Sequence, residues 1–264
     1  MVASLGVDTI TEAAGRLYEA ERTRSAIPPL VETYPGLTAE DAYRIQQRLI
    51  DRKLGQGAHV VGHKIGLTAV AMQQLLGVDQ PDFGHILDTM MVADGDAVPR
   101  DTLIFPRVEA EIAFCLREDL RGPGVTAPRV LAATNFVFPA LEIVDSRIAD
   151  WKITLADTIA DNASSCRMVA GGRFIPVEDL DLRLVGMVLE KNGEIVNSAA
   201  GAAVLGNPTN AVAWLANRLA EFDITLRAGE LILPGALSAA VTVEAGDAVR
   251  ATFDRLGPVS VRFV

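Results

Sequence analysis

Apolar positions in the first fifty residues recur at helical spacing. Ile10, Ala13, Ala14 and Leu17 fall on one face, and Ala42, Ile45 and Leu49 repeat the pattern after a break marked by Pro28, Pro29 and Pro35. The second helix carries punctuation: Thr38 with Asp41 three residues on resembles a capping box with Asp in the Glu position, and Gly55 stands just past the expected end. From His59 the pattern shortens. HVVGHKIG, RVEAEIAFCL, FPALEIVD and RMVAGG are β-like runs separated by Gly, Pro and Asp, while LVGMVLEK and EIVNSA flank Asn192-Gly193, a pair that tolerates the positive φ of a type I′ hairpin turn. One more helix interrupts the strands, with Asn207 as N-cap, Pro208 at the first helical position and Val212, Leu215, Ala216 and Leu219 as its stripe. ELILPG, VTVEAGDAVRATFD and PVSVRFV return to strand pattern. No internal repeat of about 20 to 50 residues breaks this order. The expected organisation is α+β, a helical N-terminal region over residues 1–58 packed on a β-rich body over 59–264.

Composition narrows the class. A chain of 264 residues, half of them hydrophobic and 22% charged, is ordinary globular material for one large core or a core with an appendage. The 24 Lys and Arg against 34 Asp and Glu give −10 without a basic run, which argues against a nucleic-acid surface. An anionic ligand must then be held by local charges or a metal. The N-terminus MVASLGVDTITEAAG has neither a basic nor an apolar leader segment, and no uncharged apolar stretch approaches the roughly 18 residues of a membrane span, so the expectation is a cytoplasmic protein without a membrane partner. Cys115 and Cys166 are too few for a disulfide scaffold and lack zinc-ligand spacing, which leaves two buried, reduced thiols.

Nucleotide-binding glycine motifs, the G-x-S-x-G elbow and H-E-x-x-H are all missing, and His59, His63 and His85 are the only histidines. Carboxylates become the leading candidates. In RVEAEIAF a strand would place Arg107, Glu109, Glu111 and Ala113 on one face. A solvated edge is the plain explanation of two such glutamates. Glu142, inside the apolar run FPALEIVD with Leu141 and Ile143 opposing it, shifts the balance toward three convergent acids. Oxygen-only ligation of that kind selects a hard cation such as Mg²⁺, Mn²⁺ or Ca²⁺ and leaves positions open for water and substrate.

Other polar residues have two readings each. Lys64 in GHKIG is either a snorkelling surface lysine or a buried functional one approached closely across its flanking glycines. Asp82 in QPDFG looks first like a turn residue. Asp157 and Asp161 share a face if LADTIADNASS is helical, with N-capping or turn duty the plainer explanation. His63 alternates with Lys64, so it should point away from it.

The wording of these segments resembles the hydratase and decarboxylase branch of the fumarylacetoacetate hydrolase superfamily. DAYRIQ, VVGHKIGLT, AMQQLLGVDQPDFG, FPRVEAEIAF, FPALEIVDSRIADW, DTIADNAS, AAVLGNP with AVAWLAN, and GPVSVRFV carry the resemblance over nearly the whole chain. It implies a catalytic body of mixed β-roll or sandwich type, and Mg²⁺ or Mn²⁺ held by Glu109, Glu111 and Glu142. The family's active-site lysine falls on Lys64, its acid after the Q-P turn on Asp82, and its A-D-N-A-S stretch on Asp161 and Ser164. The implied activity is hydration of a small 2-hydroxy or 2-oxo dienoate in aromatic or steroid ring catabolism. Decarboxylation, with Arg147 or Arg167 contacting a second substrate carboxylate, is the alternative, and a non-catalytic stabilising subunit is the third. Relatives are oligomeric, so a homo-oligomer is expected, with a pathway aldolase or decarboxylase as a further partner.

Overall fold

A computed structural model describes residues 4–69, 73, 78 and 80–264. Most of the AMQQLLGVDQ stretch therefore lies outside the described residues. The N-terminal expectation holds as two long helices, α1 (Val7–Thr23) and α3 (Ala39–Leu54), joined through the short α2 (Leu30–Thr33). Ile10, Ala13, Ala14 and Leu17 on α1 and Ala42, Ile45 and Leu49 on α3 are all buried, as their spacing requires. Thr38 caps α3 by accepting from the Asp41 amide at 3.2 Å. The reciprocal half of the capping box is absent. Asp41 instead accepts from Ser4 Oγ and the Leu5 amide and pairs with Arg44, so its carboxylate is taken up by these partners rather than by the Thr38 amide.

Thirteen strands fill the remainder of the described chain, in two sheets. The larger contains β1 (Val60–Gly66), β2 (Asp82–Leu87), β3 (Met91–Ala93), β5 (Arg107–Leu116), β6 (Thr134–Val144), β7 (Ser165–Ala170), β10 (Leu231–Leu233) and β11 (Val241–Thr242). Its order is β2-β1-β10-β5-β6-β7-β3, with β11 beside β5, and it mixes parallel pairs (β1 with β10, β3 with β7) with antiparallel ones. The smaller sheet runs β4-β13-β12-β8-β9, from β4 (Ala97–Val98), β8 (Gly186–Lys191), β9 (Glu194–Ala200), β12 (Ala248–Phe253) and β13 (Gly257–Phe263). Asn192 and Gly193 make the β8–β9 turn with φ of 56° and 82°, the type I′ signature. Asn207 caps the helix Pro208–Leu219 by accepting from the Thr209 amide.

Alternation decides what each face of the larger sheet does. Val108, Ala110, Ile112 and Phe114 of β5 join Leu141 and Ile143 of β6 and the inward residues of β12 and β13 in the main core. The opposite face is not solvated. β2 touches β7 although four strands separate them in the sheet, so the sheet curls on itself, and Ile86, Ala113, Cys115, Phe138, Met168 and Leu233 form a second apolar cluster inside the curl. This is the expected β-roll. Glu109, Glu111 and Glu142 lie on this inner face, beside that apolar plug.

Candidate active site

Register brings the three glutamates together. Glu109 stands directly opposite Glu142 in the antiparallel β5–β6 pair, and Glu111 follows two residues on, along the same face. One carboxylate oxygen from each lies within 4.8 Å of the others. Burial deepens along β5: Arg107 and Glu109 are partly buried and Glu111 fully so. The open end of the site is therefore the Arg107 end, where the guanidinium stacks on Trp151 at 4.2 Å and the Trp151 indole donates to Phe105 O.

Two further contacts orient the acids. The Gly235 amide donates to Glu111 Oε2 at 2.7 Å, and Ser165 Oγ donates to Glu142 Oε1 at 2.7 Å. Among the described residues the remaining oxygens, Glu111 Oε1 and Glu142 Oε2, are buried without a hydrogen-bond donor. Buried carboxylates left so are costly. Burial pushes Glu109 up to about 7, with Lys64 opposing the shift and Glu142 and Asp82 adding to it. Glu111 is raised well above the usual carboxylate range by burial and then by Glu142 and Glu109. A hard divalent cation fits this donor set, since it would supply the missing partner to both oxygens and cancel the repulsion.

Lys64 is the one cation that reaches into the cluster among the described residues. Its ammonium is 3% exposed, lies 3.2 Å from Glu142 Oε2 as an ion pair outside hydrogen-bond geometry, and donates to Ala163 O at 3.0 Å. Snorkelling is thereby excluded. Burial works against its charge, but Glu142, Glu109, Asp82 and Glu111 outweigh it and raise its pKa. Asp82 opens β2 opposite Gly66 rather than sitting in a turn, and Thr158 donates to its Oδ2 at 3.1 Å while Oδ1 is without a partner among the described residues. A Cβ on Gly66 would lie 2.2 Å from Asp82 Oδ1 and 3.4 Å from Lys64 Nζ, so the missing side chain is what leaves room for acid and ammonium on the same side of the strand. Burial raises the Asp82 carboxyl above its ordinary value, with Lys64 and Thr158 opposing.

Asp161 and Ser164 border this cluster on the loop before β7. Ser164 Oγ is buried and without a partner among the described residues. Asp161, by contrast, has both oxygens engaged, Oδ1 by Arg147 Nε and Oδ2 by the Arg147 amide and Ser146 Oγ. Asp157 is an anchor: it completes a capping box with Thr154 and accepts from the Leu30 amide at 2.6 Å. His63 faces away from Lys64 as expected, paired across β1–β2 with His85, which burial pushes down to about 3. Sequence reasoning missed Gly235, Ser165, Thr158 and the Ala163 carbonyl. Thr158 and Ala163 lie inside the DTIADNAS match and Ser165 follows it, so that match was their signal, while Gly235 left none.

The chain has relatives among known proteins. The description fumarylacetoacetate (FAA) hydrolase C-terminal matches residues 60–264. The chain belongs to the fumarylacetoacetate hydrolase family. It is 49% identical over 252 residues to a 2-keto-4-pentenoate hydratase of Paraburkholderia xenovorans, covering 96% of this chain and 94% of the relative. A 4-oxalocrotonate decarboxylase of Pseudomonas sp. (strain CF600) is 44% identical over 257 residues, with 97% of each chain covered. The solved 4-oxalocrotonate decarboxylase of Pseudomonas putida G7, complexed with magnesium and adipate, superposes with a TM-score of 0.97 at 40% identity over 99% of both chains. Within the family, then, both activities sit on one architecture.

Neither arginine that the decarboxylase alternative nominated faces the glutamates. Arg147 is 2% exposed and committed to Asp161, and Arg167 pairs with Ile143 in the β6–β7 register, on the face turned to the main core.

Proposed function

We propose that the protein is a divalent-cation-dependent hydro-lyase that adds water to 2-hydroxypenta-2,4-dienoate, giving 4-hydroxy-2-oxopentanoate, in meta-cleavage catabolism of aromatic or steroid rings. What carries the proposal is a single ammonium, Lys64, set between Asp82 and a three-carboxylate cluster in a chain so close to a hydratase over nearly its whole length. The cation, Mg²⁺ or Mn²⁺, would sit among Glu109, Glu111 and Glu142 and supply Lewis-acid polarisation of the substrate's 2-oxygen.

The chain's own groups then move protons and place water. The dienol loses its hydroxyl proton and gains one at C5, which gives an α,β-unsaturated 2-oxo acid. Water bonds to C4 through oxygen, and C3 takes up a proton. Lys64 Nζ, held charged by four acids, binds the substrate carboxylate or gives the C5 proton. Asp82 Oδ1, free of donors among the described residues and with a raised pKa, holds and returns a proton, and Ser164 Oγ orients the water. General acid–base help of this kind is worth about 10²–10⁴-fold. Asp161 contributes through the loop it anchors. The apolar plug beside the acids keeps that side of the site dry.

The proposal places the enzyme in the cytoplasm; no helix among the described residues is long and apolar enough to cross a membrane. A homo-oligomer, working beside an aldolase or decarboxylase of the same pathway, completes the proposal. Decarboxylation remains the second reading because of the 0.97 superposition. The deciding experiment adds purified protein and Mg²⁺ to 2-hydroxypenta-2,4-dienoate and identifies the product by NMR. Formation of 4-hydroxy-2-oxopentanoate is expected; inertness there, with CO₂ release from 4-oxalocrotonate, would overturn it.

A further inference from the structure

The loop that presents Ala163 to Lys64 adopts a conformation its residues do not favour. Asn162, Ala163 and Ser164 are consecutive left-handed residues, with φ of 53°, 51° and 55° and no glycine among them. Two sets of contacts hold the run. On one side Arg147 donates from Nε to Asp161 Oδ1, from Nη2 to Asp161 O, and from Nη1 to Asp145 O at 2.6 Å and Ser165 O at 3.1 Å. One guanidinium thus grips the residues immediately before and after the run. On the other side the Asn162 amide extends β2, its Oδ1 accepting from His85 N at 2.7 Å and its Nδ2 donating to His85 O at 2.9 Å. Gly84 makes that approach feasible, since a Cβ there would lie 2.4 Å from Asn162 O.

We propose that Arg147, acting through Asp161 and the neighbouring carbonyls, is a positioning residue for the reaction: it holds the left-handed run so that the Ala163 carbonyl aims the Lys64 ammonium. The kinetic side of this rests on the hydratase reading. Arginine is required because its planar fork reaches four acceptors in different directions, whereas a lysine ammonium has one centre. The three glutamates sit on strands β5 and β6, outside the loop, and among the described residues touch the clamped segment only through the Ser165 hydroxyl and Lys64 at Glu142, so cation affinity should change far less than turnover.

The test is Arg147→Lys, with Asp161→Asn as the second variant should the first not fold, each kept as the full chain. Steady-state kinetics, Mg²⁺ titration by calorimetry and amide hydrogen exchange are read together. The expected result is kcat lowered 30- to 300-fold per Mg²⁺-binding site, with KM and Mg²⁺ affinity within threefold of wild type. Exchange should quicken at the His85, Asp145 and Ser164 amides, which bond to Asn162 Oδ1, Ser164 O and Asp161 O. A role in stability alone would lower the melting temperature and leave kcat per binding site unchanged. That outcome, or failure of both variants to fold, overturns the proposal. If wild-type protein is inert on the dienoate, the hydratase reading falls separately. Exchange then decides the clamp: faster exchange at those three amides with intact Mg²⁺ affinity supports it, and unchanged exchange refutes it.

Discussion

If Glu109, Glu111 and Glu142 hold a divalent cation, its affinity must rise with pH while the metal-free protein still carries protons on these carboxyls. Burial pushes Glu109 up to about 7 and raises Glu111 well above the ordinary carboxylate range, whereas an unperturbed glutamate titrates near about 4.3. A cation needs the carboxylate, so each displaced proton weakens binding about tenfold per pH unit below the carboxyl's own pKa. From pH 7 to pH 5, displacing the Glu109 proton alone costs about 50-fold in affinity, or about 2.3 kcal/mol, and a proton on Glu111 steepens the dependence further. The same protons set the sign for stability. Between the unfolded value and about 7 the folded metal-free chain keeps a proton on Glu109 that the unfolded chain has released, so this group destabilises the metal-free fold as pH rises through that window. Calorimetric titration of chelator-stripped protein with MgCl₂ at pH 5, 6 and 7, in two buffers of different ionisation enthalpy, gives both affinity and the number of protons released. A dissociation constant that does not move between pH 5 and 7, with no proton release, would refute the burial reasoning.

Lys64→Ala should lower kcat by about 10²–10⁴-fold while a melting curve in Mg²⁺ shows a folded protein; wild-type kinetics would reduce Lys64 to a structural counter-ion. Gly66→Ala should cost at least about tenfold in kcat/KM, because the new methyl takes the place of Asp82 Oδ1, 2.2 Å away; unchanged kinetics would mean that the seat of Asp82 is not used. Light scattering at micromolar concentration should give a mass above one 28.1 kDa chain, and a monomer that is fully active on dilution would remove the proposed homo-oligomer.

How much of this was legible depends on the range of the interaction. The sharing of one face by Glu109 and Glu111 follows from the two-residue period of any strand, and so does the turning away of His63 from Lys64. The Asn192-Gly193 hairpin and the Asn207 cap are equally local. The meeting of Glu109 with Glu142 is not local, since it requires a register set by two strands 17 residues apart in the chain, from Leu116 to Thr134, excluded from any window of periodicity. Burial of Lys64 depends on the curl of the whole sheet. The left-handed run at 162–164 left little mark: Asn162 tolerates positive φ, but alanine and serine do not signal it, and the arginine that enforces it stands 14 residues from Asp161. Asp41 shows the opposite failure, a local motif whose spacing was right and whose carboxylate is claimed by Ser4 and Leu5, 37 and 36 residues away in the chain.

The N-terminal helices acquire a reason in the same geometry. They contribute none of the acids or the lysine, yet the Gln46 amide, 1% exposed on α3, donates to Phe83 O at 2.8 Å and Ile159 O at 2.7 Å. Phe83 follows Asp82, and Ile159 follows the Thr158 that bonds Asp82, so one buried amide ties together the two segments that seat this acid. Lower on the same flank, Ile27 bridges to Ile148 on both sides of its peptide, Ile27 N donating to Arg147 O and Ala149 N to Ile27 O, each at 2.9 Å. Asp157 reaches from its capping box to the Leu30 amide. The region 1–58 is therefore coupled through backbone carbonyls to Asp82 and Arg147. A buried amide that satisfies two carbonyls stabilises only where both are held at hydrogen-bond distance, which makes α3 a brace for the loop geometry on which the placement of Lys64 and Asp82 depends.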